Sequence, residues 1–329
     1  MLAAPSLADR VAAAKGPLAP KAQRRIVRRA EAFQRRLLRA LRLQGVKIVR
    51  ERSYTRTFNG FSAVLDARAL AALERAPGVA GVYPVRPVYP ALVSADVLAR
   101  PEFGAGGGRQ PGVSLPGADG AGVTIALLDT GVDRRHPSLR GNVARGLDLV
   151  DGRGSADQPE AHGTRVAGLL VGSAPLSGVA PGATVLPIRV LAPALDGDVL
   201  GFAGRSDVLL EGLERAVDPD ADGDVEDAAD VALAAVVEPY ASFADAPEAR
   251  AVAGAAALGT LVVSAAGNDG PAGDRFGTIG APGGAPAALT VGAADARTET
   301  LAVSVSVTAG GQEAWAGETR VLGAVAPAP

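Results

Sequence analysis

The sequence predicts an α/β domain with a mostly parallel sheet, preceded by a small α+β unit. Three observations predict it. After Gly122, short apolar runs alternate with helical patterns as far as residue 265. Strand–helix–strand repeats of that kind build parallel sheets, because parallel neighbours need a crossover. Before residue 90 the pattern is different: one long amphipathic helix, then short alternating strands. The charge divides in the same way. Residues 1–60 hold 15 Lys+Arg and 3 Asp+Glu, which leaves 18 of the 33 basic and 32 of the 35 acidic residues for the rest. A net of +12 against −14 implies two units that attract each other, or a basic unit with an anionic partner outside.

Taken in order, residues 1–21 read as an N-terminal tail. Asp9 and Arg10 interrupt it before any apolar stretch reaches the length of a signal peptide. Residues 21–43 are helical, with Ile26, Ala30, Phe33, Leu37, Leu38 and Leu41 at three- and four-residue spacing. The arginines between them form a solvated face. They lack the aromatic interleaving of a nucleic-acid surface, and no nucleic acid is expected as partner. Residues 46–65 give two strands around Asn59-Gly60. Asp66 caps a helix over 67–75, stopped by Pro77-Gly78, and 79–88 is a further strand. The small unit thus spans 22–90. Residues 91–120, rich in Gly and Pro, form a linker or maturation region before the α/β domain at 121–329.

Within that domain, 123–128 is a continuous apolar run, as expected of a strand buried on both faces. Helices follow at 162–171, 206–217 (capped by Ser206) and 247–258. Strands follow at 184–191, 230–237 and 260–265. No run of about 18 apolar residues exists, so no membrane span is expected. The 329 residues include no cysteine, which excludes disulfides, thiolate metal sites and a cysteine nucleophile. They include two histidines, so a three-histidine metal site is excluded as well.

Asp129 ends the strand 123–128 in LLDTGVD. Functional groups gather at the carboxyl ends of strands in open parallel sheets. A carboxylate there either makes a local turn or holds an imidazole in one tautomer. His162, in EAHGTRVAG, opens a helix, whose N-terminus disfavours the imidazolium. It is either a helix-end histidine or a general base. His136, in a polar loop before proline, is structural. Asn268, in AAGNDGP past another apolar strand, is either a turn residue or an amide donor to a developing oxyanion.

Together DTGVD, HGT and AAGNDGP, in that order, closely resemble the subtilisin-like serine proteases (subtilases). The order Asp, His, Asn is the one subtilisin itself displays. The resemblance covers about residues 121–295 and includes GVAPGATVLPIRVL (178–191) and SDVLLEGLERAVD (206–218). It implies a subtilisin-like parallel sheet flanked by helices and hydrolysis of protein or peptide substrates. It also implies Asp129 as the orienting carboxylate, His162 as general base and acid, and Asn268 as oxyanion donor. The small unit at 22–90 resembles the family's inhibitory propeptide, on the strength of the stretch YTRTFNGFSAVLDARALAALERAPGVAGVYP (54–84); such a propeptide docks on its own catalytic domain and is cleaved off. Secretion follows by resemblance only.

The sequence also departs from the family. The expected GTSMA-like serine motif does not follow Asn268; the later serines are Ser304 and Ser306, in an alternating strand pattern. Residues 300–329 look like the entry into an inserted β-rich protease-associated domain. The chain therefore reads as the front part of such a protease without its serine, inactive alone. The alternative is a non-catalytic module that binds a protease or peptide. Ala235, Val236 and Val237 replace the end of the usual N-[ML]-S-[LF]-G substrate strand, and Val237 is expected to crowd the specificity pocket. Arg165 replaces a second histidine. Asp218, Asp220 and Asp222 alternate before Gly223, so this loop is either a structural calcium site or a solvated acidic turn. Catalysis itself needs no cofactor.

Overall fold

A computed structural model of the chain describes residues 1–14, 16–91, 118–151, 156, 161–173, 177–196, 199–239, 245–267, 278–292, 302–309 and 312–320. The N-terminal half runs α1 (Leu7–Ala12), α2 (Pro20–Leu43), β1 (Val49–Tyr54), β2 (Gly60–Val64), α3 (Ala67–Arg75) and β3 (Pro87–Pro90). The apolar stripe of α2 buries Val27, Ala30, Leu37 and Leu41. Gln34, fully buried on the same face, donates to the carbonyls of Tyr54 and Gly60 and so ties the helix to the β1–β2 hairpin. Asp66 caps α3 by accepting from the Ala69 amide at 2.7 Å.

Two expectations fail here. Residues 1–14 are not a loose tail. Leu2 makes a bridge to Val79, Leu7 and Ala8 donate to the carbonyls of Thr55 and Arg56, and Leu7 is wholly buried. Apolar side chains at the start of the chain drive this packing. Nor is 79–88 one strand: Val79 stops at that bridge and the strand is β3, outside the β1–β2 sheet. Pro84 and Pro87 supply no amide for a ladder.

The C-terminal half contributes β4 (Thr124–Asp129), β5 (Leu147–Asp148), α4 (Ala161–Val171), β6 (Thr184–Arg189), β7 (Leu191–Asp196), β8 (Val199–Arg205) and α5 (Ser206–Val217). After them come β9 (Val231–Ala234), β10 (Val236–Val237), α6 (Pro247–Ala257), β11 (Leu261–Ala265), β12 (Leu289–Val291), β13 (Ala302–Ala309) and β14 (Gln312–Arg320). Six strands form a parallel sheet in the order β12–β11–β9–β4–β6–β5. Alternate residues of β4 face opposite layers. Ala126 and Leu128 pack with Leu209, Leu213 and Val252 of α5 and α6, while Ile125 and Leu127 pack with Val166, Ala167 and Val171 of α4. Burial on both faces is why this strand reads as an unbroken apolar run.

The expected strand 230–237 is divided. β9 stays in the parallel sheet, whereas β10 leaves it to pair antiparallel with β3, in a second sheet ordered β10–β3–β8–β7. That sheet stitches the two halves together. Ser206 does not cap α5. It is the first helical residue, and its hydroxyl accepts from the Arg86 amide instead. β13 and β14 form a hairpin, in the region expected to open an inserted β-rich domain; residues 321–329 lie outside the described residues. So do residues 92–117, most of the expected linker. Among the described residues no helix is long and apolar enough to cross a membrane.

Candidate active site

Asp129, the last residue of β4, is fully buried, and His162 stands at the second position of α4. The chain brings them together through glycines. Gly131 turns the chain at φ 106°, a conformation costly for other residues. A Cβ on Gly163 would lie 2.1 Å from the Gly131 carbonyl oxygen, so only glycine allows α4 this close to the end of β4. The two motifs interlock further. The Gly163 amide donates to Thr130 Oγ1 at 3.1 Å and the Asp133 amide to Thr164 Oγ1 at 2.9 Å.

His162 Nδ1–H donates to the Asp129 carboxylate, 2.7 Å from Oδ1 and 2.9 Å from Oδ2, and the Thr130 amide donates to Oδ1 at 2.6 Å. Nε2 lies 2.7 Å from the carbonyl oxygen of Ala91. A carbonyl only accepts, so Nε2 carries hydrogen in this arrangement. Burial opposes the charged ring, but Asp129 outweighs it and, with the Ala91 carbonyl, raises the His162 pKa above its ordinary value.

Ala91 directly follows β3. Pro90 and Tyr89 pair with Val236 and Val237, and the Ala91 amide donates to the Ala235 carbonyl at 2.9 Å. On the other edge Val88 pairs with Gly204 of β8 and is almost fully buried. Residues 87–91 therefore lie as an extended strand between two strands of the C-terminal half, ending on His162. Replacing the expected serine–leucine–glycine by Ala235–Val237 leaves this backbone pairing intact. Val237 is buried and packs toward Gly280, where an added Cβ would lie 3.2 Å from Val237 Cβ.

The rest of the small unit docks on α5, α6 and the loop after α5. Glu214, 3% exposed, accepts from the amides of Thr55, Arg56 and Thr57 and from the Thr57 hydroxyl, all within 3.1 Å. A Cβ on Gly254 would strike the Thr57 carbonyl oxygen at 2.0 Å, which accounts for glycine inside α6. Arg56 pairs with the buried Asp218 at 2.7 Å, Arg24 with Asp222 at 2.6 Å and with Asp224, and Arg52 with Glu211. Asp218, Asp220 and Asp222 can bring one oxygen each within 4.8 Å of one another. However, the Asp218 oxygens already receive Arg56 and the amides of Asp222 and Gly223. This donor set suits guanidinium better than a cation that needs those oxygens free.

The sequence reading missed Ala91, whose contribution is a main-chain carbonyl with no side-chain signature. It also missed Glu214, where a carboxylate amid the buried positions of an otherwise apolar helix face was the available signal. His136 is remote in role: exposed, it caps a short 3-10 turn by accepting from the Ser138 amide. Asn268 lies outside the described residues, just past β11 and Gly267.

Residues 120–317 match the Subtilase family, and residues 19–91 match the Peptidase inhibitor I9 family. Minor extracellular protease Vpr of Bacillus subtilis (strain 168) is 31% identical over 286 residues, covering 77% of this chain and 31% of that protein. An extracellular serine proteinase of Thermus sp. (strain Rt41A) is 30% identical, covering 80% of this chain and 58% of that protein. Subtilisin E of Bacillus subtilis (strain 168) is 28% identical, with 79% and 62% covered. The chain thus spans less than two thirds of each of these relatives. Among solved structures, fervidolysin from Fervidobacterium pennivorans, described as a keratinolytic enzyme related to subtilisin, superposes with a TM-score of 0.53. It is 19% identical, with 83% of this chain and 42% of that chain covered. At that identity the likeness speaks for the fold alone.

Proposed function

The chain belongs to the subtilase family, and from that premise we propose that it carries the Asp–His half of a serine endopeptidase site, closed by its own inhibitory domain. The observation that carries this reading is the Ala91 carbonyl on His162 Nε2 at 2.7 Å, at the end of a strand inserted between β8 and β10. A protein substrate would lie the same way, its backbone pairing with both edges and its carbonyl brought to the imidazole.

The contacts of Asp129 and His162 support roles for these two residues. Asp129 holds the Nδ1–H tautomer, leaving Nε2 to take a proton from a nucleophile and return it to the leaving amine. Asn268 is assigned as oxyanion donor by its place in AAGNDGP. The sequence holds no GTSMA-like stretch after Asn268, only Ser304 and Ser306 in β13. Without the family's serine motif for Nε2 to activate, the chain as given is expected to form no acyl-enzyme. Two of the relatives are named extracellular proteases, which supports secretion and protein substrates. The acidic loop serves the docking of Arg24 and Arg56 rather than calcium, since Asp218 has its oxygens engaged.

Purified chain should leave casein and peptide anilides uncut, and a fluorophosphonate probe should not label it. Stoichiometric labelling abolished by His162→Ala would overturn the inactive reading and reveal a serine in working position. A purely binding module is less favoured, because the Asp129–His162 pair has the geometry acid–base work requires.

A further inference from the structure

Upstream of the strand that ends on His162, the chain meets a buried acidic pair that the catalytic reading leaves unused. Glu238 follows β10 directly and is 3% exposed; its amide and carbonyl exchange hydrogen bonds with Ala281 at 2.9 and 3.0 Å, which fixes its backbone. Glu248, also buried, lies in the first turn of α6. Both belong to the C-terminal half. The cation that faces them does not. Arg86, the residue before β3, places Nε 3.4 Å from Glu238 Oε1. The other Glu238 oxygen is buried and accepts no hydrogen bond.

Arg86 is also gripped by its backbone. Its amide donates to Ser206 Oγ at 3.1 Å and its carbonyl accepts from the Ser206 amide at 2.8 Å. The start of α5 thus fixes the register of the incoming strand, and the acidic pair meets its side chain. This explains why Ser206 is not spent on capping.

We propose that Glu238 and Glu248, with Ser206, form a subsite for a cationic side chain five residues upstream of the one whose carbonyl meets His162. The occupant in this chain is Arg86, and the class of ligand is an extended peptide with arginine or lysine at that position. The physical basis is asymmetric. Glu238 is held out of water with one oxygen turned to Arg86, so a peptide with a neutral residue there leaves its ionised form without a counter-charge. Discrimination comes mainly from rejecting the wrong peptide. Arginine is the occupant seen, with Nε 3.4 Å from Glu238 Oε1, and it keeps its charge at any working pH, whereas a lysine would bring a flexible ammonium to the same oxygen. The inference rests on the reading that 87–91 lies in the substrate groove.

The test uses the full chain and reads hydrogen exchange at the Ala91 amide, which bonds to the Ala235 carbonyl. In the unaltered chain this amide should be protected. Arg86→Gln should speed its exchange by about tenfold, equivalent to about 1.4 kcal/mol of docking, with Arg86→Lys in between. Glu238→Gln should speed it similarly, and the double variant should be no faster than either single one. If Ala91 exchanges like a free peptide in the unaltered chain, the groove reading itself fails. If it is protected but indifferent to Arg86→Gln, or if the two changes simply add, the groove reading stands and the subsite is overturned.

Discussion

His162 donates from both ring nitrogens, to Asp129 and to the Ala91 carbonyl, so the docked arrangement selects the imidazolium. Its folded pKa lies above the ordinary 6.5. The stability it lends is therefore complete below pH 6.5 and lost as pH rises through the folded value. With only two histidines in the chain, proton NMR can follow this ring directly. It should titrate above the ordinary value, and Asp129→Asn should bring it down, since burial then acts with less opposition. A His162 titration indifferent to Asp129→Asn would break the pairing. Gly163 is the companion constraint: the pair exists only because nothing larger stands between α4 and the turn at Gly131.

Among elements, α5 joins β3 in uniting the halves. Its Glu214 satisfies three consecutive amides of the 55–57 loop, two of them on nearly fully buried residues. Glu214→Ala would orphan those donors, and each buried unsatisfied group costs about 1–3 kcal/mol. Urea unfolding should show a loss of about 3 kcal/mol or more; a loss under about 1 kcal/mol would mean water replaces the carboxylate. At the junction of β10 and α6, burial, then the nearby Glu248, pushes Glu238 up to about 7 against the pull of Arg86, and burial raises Glu248 too. A raised carboxylate pKa favours folding in the neutral form. That contribution is complete below 4.5 and lost as pH rises through about 7. The two groups titrate together. Stability measured across this window should fall with rising pH, and Glu238→Gln should flatten the fall. An unchanged slope would place the titration elsewhere.

For the whole molecule, the charge split of +12 and −14 has its two signs meeting within one chain, where Arg24, Arg52 and Arg56 pair with acidic residues of the C-terminal half. Its contacts are unequal. Arg56 is 14% exposed against a fully buried Asp218, whereas Arg24 meets Asp222 at the rim with both more than a third exposed. Removing one partner of a buried pair strands a charge, at about 3 kcal/mol. Rim pairs are screened by salt. Arg56→Ala should lower stability by about 3 kcal/mol at any ionic strength. Arg24→Ala should lose a salt-screened part from the exposed Asp222 and a part from the buried Asp224 that salt leaves in place. Equal, salt-sensitive losses in calorimetry would show that the interface is held by diffuse attraction instead.

The sequence by itself determined what repeats and what has shape. Period-two and unbroken apolar runs gave the parallel strands, three- and four-residue spacing gave the helices, and Asp66 placed a cap where it stands. The motifs at Asp129 and His162 were legible because glycine is required at Gly131 and Gly163 for steric reasons that leave a mark in the sequence. Tertiary structure alone decided what depends on main-chain atoms and on residues far apart in the chain. It divided 230–237 into β9 and β10, because β3 offered β10 an edge to pair with. It built residues 1–14 into the fold, because Leu2 and Leu7 found apolar neighbours in both halves. It took Ser206 from capping to grip Arg86, and it set the Ala91 carbonyl on His162. A carbonyl oxygen is the same in every residue, so no sequence pattern marks the one that reaches the imidazole.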